Sequence, residues 1–141
     1  MKNTHAVVQY AGDDYFVAVP PSGHAITLDV KGERSSAPSP VELLLLAMGA
    51  CTGADVISVL HKKRLQVTDY KVEVRGERRD EHPRNFTKME VKHTLTGRAI
   101  PADAVAKAIE LSETKYCSVA ATLRPTVEII STFEIHEETA A

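Results

Sequence analysis

The sequence predicts an α+β fold in which antiparallel β-sheets wrap around one long buried helix, all within a single domain of 141 residues. Three observations lead there. Residues Pro40 to about Lys63 carry a helical pattern whose stretch Leu43 to Ala54 holds no charge. Short β-prone runs broken by turn residues come before it, and an alternating hairpin, a second helix and a last strand come after it. The length suits one domain, since domains usually run about 100–150 residues. Its parts are a meander and connector over 1–38, the central helix over 39–64, and the remaining strands and helices over 68–141.

Ala6 to Val30 alternates β-prone runs with turn signals at Gly12-Asp13-Asp14 and Pro20-Pro21-Ser22-Gly23, the pattern of a three-stranded meander. Lys31 to Ser39 is rich in Gly, Ser and Pro and is read as a mobile connector. Ser39-Pro40-Val41-Glu42 then offers an N-cap serine, a proline at the first helical position and a glutamate at the third, the spacing of a capping box. At 1.5 Å per residue the helix spans ~36 Å, the width of a domain this size. It ends in His61-Lys62-Lys63-Arg64, where cations suit the negative end of the helix dipole. Tyr70, Val72 and Val74, and after a charged turn Met89, Val91, His93 and Leu95, alternate with polar residues as a hairpin with one wet face. Pro101 to Lys115 has helical spacing with Val105, Ala108 and Ile109 inward. Tyr116 to Leu123 is read as a short helical segment opening at Cys117 or Ser118. Val127 to Ile135 is the last strand, and Glu137 to Ala141 a loose tail.

The net charge of −2 comes from interspersed residues of both signs, which argues against nucleic acid as a partner. No apolar stretch of signal-peptide length follows Met1 to His5, so the expected compartment is the cytoplasm. The uncharged stretch is shorter than the ~20 residues of a membrane span, so burial in protein is expected over burial in lipid. The six histidines, His5, His24, His61, His82, His93 and His136, show no ligand spacing to one another or to the cysteines. They are read as solvated or hydrogen-bonded surface residues, with no metal and no cofactor expected.

A helix apolar all round needs cover on every side, more than one chain of this size supplies, so a homodimer is expected. Gly49, Gly53, Ala47, Ala50 and Ala54 strip bulk from its middle, around Cys51. The other cysteine, Cys117, lies 66 positions downstream. Two cysteines do not make a disulfide framework, and a thiol among small residues is either inert packing or a protected nucleophile.

Ser39 through Val56, followed by Tyr116-Cys117-Ser118, resembles the OsmC/Ohr family over almost the whole chain. The resemblance implies an intertwined homodimer with two thiol sites at the subunit interface, and a thiol-dependent peroxidase that reduces organic hydroperoxides to alcohols. Carried over, Cys51 is the peroxidatic thiolate, Cys117 resolves its sulfenic acid as a disulfide, and a dihydrolipoyl-type or other small dithiol reduces that bond. An arginine from an early segment, here Arg34, is the activating cation. Family peroxidases carry a carboxylate ten residues before the reactive cysteine to orient that arginine. Here the position is Val41, a departure for which Glu42, one residue on, is the candidate substitute. Leu45, Met48 and Tyr116 are the apolar substrate-side candidates. Asp55, one turn after Cys51, is a candidate to hold a cation or to bond Thr52, Ser58 or a neighbouring strand. A second reading stays open, an OsmC-like dimer that binds a small molecule or thiol adduct without peroxidase chemistry. Val41 favours it, whereas the two cysteines favour the enzyme.

Overall fold

The structure is a computed structural model that describes residues 3–139. It is α+β, with two three-stranded sheets and a central helix, and it divides between Leu44 and Leu45 into two compact units.

In the first unit β1 (Val7–Gly12), β2 (Tyr15–Val19) and β3 (Ile26–Asp29) form the expected antiparallel meander. The β1–β2 turn places Asp13 and Asp14 at φ 50° and 60°, as a tight hairpin turn with two left-handed central residues requires. The segment expected to be a mobile connector is instead tied down at Asp29. That carboxylate, in a residue only 5% exposed, accepts bonds from the Lys31 and Ser36 N–H groups, the Ser36 hydroxyl and the Arg34 guanidinium. The composition signalled freedom, but a single acceptor gathers the loop around itself. Arg34, above all, holds the Asp29 carboxyl well below the usual carboxylate range. The first turn of helix α1 (Pro40–Lys62) begins here, with Ser39 Oγ accepting the Glu42 N–H at 3.2 Å.

The second unit holds the rest of α1 and a sheet of order β4-β5-β6, formed by β4 (Gln66–Arg78), β5 (Phe86–Arg98) and β6 (Glu128–Glu137). β4 and β5 pair antiparallel, with Val72 opposite His93 and Val74 opposite Val91. The all-antiparallel expectation fails at β6, which runs parallel to β5 from Lys88↔Glu128 to Gly97↔Glu137. The cause is the connection: α2 (Ala102–Leu111), a π-helical turn (Ser112–Tyr116) and α3 (Ser118–Leu123) form a crossover that returns the chain to the same end of the sheet. The expected helix to Lys115 thus stops at Leu111 and widens. Of the expected loose tail, Glu137 closes β6 and its carboxylate accepts the Ala99 N–H, while Ala140 and Ala141 lie outside the described residues.

By length and hydropathy α1 would suffice to cross a bilayer. Yet Met48, Thr52, Val56 and Leu60, spaced four apart, are buried in the chain itself. Val56 and Leu60 join Leu95, Ile100, Ala104, Val105, Ala108 and Ile109 in one core between α1, α2 and the sheet. Gly49 and Gly53 bring α1 against β4: a Cβ on Gly49 would sit 3.2 Å from Val74, and one on Gly53 3.4 Å from Val72. The helix is therefore not buried all round in one chain. Leu46, Ala50 and Ala54, two positions away from the buried stripe and so on the opposite face, are exposed, Leu46 to 61%.

Candidate functional site

The second unit brings the two cysteines together. Cys51, half-buried in the middle of α1, and Cys117, only 3% exposed after the π-helical turn, are both free thiols. Their sulfurs and a carboxylate oxygen of Asp55 all lie within 4.8 Å of one another. Asp55 reaches the pair because residues four apart share a helix face.

Local structure explains how Cys117 arrives. The π turn adds width at the end of α2, and the Cys117 N–H donates to Ser112 O at 2.7 Å. Cys117 is then the N-cap of α3, extended at φ −76° and ψ 103°, with its sulfur accepting the Ala120 N–H at 3.3 Å. Burial, and next the hydrogen bond with Cys51, push the Cys117 thiol up to about 11, against the opposing pull of the Ala120 and Val119 amides. Cys117 is therefore a thiol at neutral pH.

Ser112, which the sequence reading passed over, and Thr52, named there only as a partner for Asp55, complete the site. Ser112 Oγ is 2.9 Å from Asp55 Oδ2 and 2.9 Å from Thr52 Oγ1. Its one proton goes to the carboxylate, which only accepts, so its oxygen takes the Thr52 hydroxyl proton. Thr52, a lone hydroxyl on the buried stripe of an apolar helix, was the available signal. Ser112 thus links Asp55 to Thr52.

Next to this network Tyr70 OH lies 2.6 Å from His93 Nδ1, with the rings stacked at 5.9 Å. His93 is fully buried and its Nε2 has no hydrogen-bond partner among the described residues, so the reading of His93 as a surface histidine is corrected. Its place among the inward residues of β5 outweighs its polarity. Burial lowers its pKa to about 4. Burial, and next the charge of Asp55, raise Tyr70 above the usual phenol range.

The remaining candidates fall in separate places. Tyr116, about half exposed, lines a cleft of about 370 Å³ with Asp55, Ser58, Val59, Lys62, Lys63 and Leu111. Met48 is buried, and the Leu45 side chain packs over Gly76. Neither lines that cleft. In the first unit the Arg34 guanidinium bonds Asp29 and Asp13 and sits 3.9 Å over the Tyr15 ring, and Glu42 contributes its N–H to the helix cap. Cys51, Asp55 and Cys117 are the described residues grouped closely enough to hold a metal ion.

The family model described as OsmC-like protein matches residues 32–132. Protein YhfA of Escherichia coli K12 is 42% identical over 120 residues, which cover 85% of this chain and 89% of YhfA. The crystal structure of a hypothetical protein from Aquifex aeolicus VF5 superposes with a TM-score of 0.87 at 30% identity, over 99% of this chain and 100% of the other. An organic hydroperoxide resistance protein OsmC from Legionella pneumophila shares the fold with a TM-score of 0.68 at 14% identity, over 95% and 98% of the two chains.

Proposed function

The chain belongs to the OsmC-like protein family, and from that premise we propose that it is a thiol-dependent peroxidase acting on organic hydroperoxides. The observation that carries this is the meeting of two free thiols 66 residues apart, one of them kept protonated. Cys51 is the attacking sulfur. Cys117, as a thiol, donates its hydrogen bond to that sulfur. The Cys51 thiolate attacks the outer oxygen of ROOH, the O–O bond breaks, and with one proton the products are ROH and a Cys51 sulfenic acid. The Cys117 sulfur then displaces the sulfenic oxygen, which leaves as water, and the resulting disulfide is reduced by a small dithiol, whose own sulfurs become oxidised.

Arg34 is the proposed activating cation. Val41 removes the usual carboxylate beside such an arginine, and Asp29, which grips Arg34 through two hydrogen bonds at 2.9 Å, takes over its task of orienting the guanidinium. Glu42, which enters the cap through its backbone N–H alone, is the weaker substitute. Tyr116, on the wall of the cleft, favours greasy substrates over hydrogen peroxide, a task in which Leu45 and Met48, which do not line it, take no direct part. The functional form is a homodimer, for which the exposed stripe of α1 provides an apolar surface, and two free cysteines suit a reducing cytoplasm.

Reduced protein should consume cumene hydroperoxide with a dithiol. Cys51→Ser should abolish this, and Cys117→Ser should leave a single turnover. Wild-type protein no faster than free dithiothreitol would sink the enzyme reading and leave the binding-protein alternative that Val41 favours.

A further inference from the structure

We propose that Cys51, Asp55 and Cys117 form a binding site for one soft divalent cation of the zinc type, with Asp55 also lining the cleft beside Tyr116. Zinc takes thiolate sulfur at about 2.3 Å and carboxylate oxygen at about 2.0–2.2 Å, so tetrahedral ligand atoms stand roughly 3.5–3.8 Å apart. The three donor atoms already lie within 4.8 Å of one another, so a contraction of about an ångström closes the site. They come from two segments, α1 and the residue capping α3, and two of them, Asp55 and Cys117, are supported from behind. Ser112 Oγ holds Asp55, Thr52 stands behind Ser112, and the Ala120 N–H holds the Cys117 sulfur. Such outer partners aim metal ligands and are typical of sites built to bind.

Two thiolates and one carboxylate bring three negative charges against the two positive charges of the ion. Lys62 and Lys63, on the wall of the cleft that Asp55 also lines, offset the remainder. Binding breaks two S–H bonds, releases both protons to solvent and forms two metal–sulfur bonds, with no change of oxidation state. The site does not depend on peroxidase activity. Where that activity exists, the ion occupies the same sulfur lone pairs and shuts the chemistry off reversibly.

The test uses reduced, chelator-stripped full-length protein and zinc alone, in competition with a chromophoric chelator, without hydroperoxide. One zinc per chain is expected, weakened at least a hundredfold in Cys51→Ser or Cys117→Ser and about tenfold in Asp55→Asn or Ser112→Ala. Cobalt should give a sulfur-to-metal charge-transfer band that Cys117→Ser loses. If a variant fails to fold, protection of wild-type Cys51 from iodoacetamide by zinc replaces it as the readout. Absence of binding, or binding indifferent to Cys117→Ser and Asp55→Asn, overturns the proposal. Protein that binds zinc but ignores hydroperoxide refutes only the peroxidase reading, and an active peroxidase that binds no zinc refutes only this one.

Discussion

His93 couples the core to pH. Folded, it stays neutral down to about pH 4, whereas in the unfolded chain it takes a proton near pH 6.5. Between those values the unfolded state binds more protons, so stability is complete above about pH 6.5 and falls as pH drops, by up to about 3 kcal/mol near pH 4. Urea midpoints measured from pH 7.5 to 4.5 should show this slope, and His93→Gln should flatten it. Asp29 adds to acid sensitivity with the same sign, because its lowered pKa contributes stability that is lost once the pH falls below the usual carboxylate range. At this scale the sequence was legible in part. The alternation of β5 placed His93 inward while its residue type suggested the surface, and the fold sided with the alternation. Ser112 stayed hidden because a small hydroxyl gives no periodic signal of its own.

Among the elements, two glycines of the β4–β5 hairpin differ in what their side-chain space contains. A Cβ on Gly97 would collide with the Gln66 backbone carbonyl, which cannot yield without moving β4. A Cβ on Gly76 would meet the Phe86 ring and the Leu45 tip, side chains rather than backbone. Gly97→Ala should therefore cost about 3 kcal/mol and Gly76→Ala about 1 kcal/mol, read from urea unfolding. The start of α1 was legible in Ser39-Pro40-Val41-Glu42, and both hairpin strands in their alternation. The π turn was not, since one extra residue in a helical turn leaves no compositional mark. Nor was the direction of β6, which depends on where three intervening elements leave the chain.

The molecule as a whole presents α1 with one stripe inside its own core and another, Leu46, Ala50 and Ala54, in solvent. Beside it Gly49, Gly53, Ile57, Tyr70 and Val72 line a shallow apolar groove of about 470 Å³. Sedimentation should find a dimer, and Ala50→Arg, which plants a charge on that stripe, should give monomers and lower the midpoint of thermal unfolding. The sequence foretold this need for cover from the uncharged stretch alone. It offered no independent sign that Cys51 and Cys117 meet; that came from resemblance, because no local pattern encodes a contact across 66 residues.

The parallel seating of β6 also sets an order of events during synthesis. Until residues 128–137 have left the ribosome, the outer margin of β5 shows its amide and carbonyl groups to any passing strand, while the segment carrying Cys117 has no anchor downstream. A nascent or prematurely terminated chain thus carries an open strand edge together with a Cys117 segment that the final strand has not yet closed off.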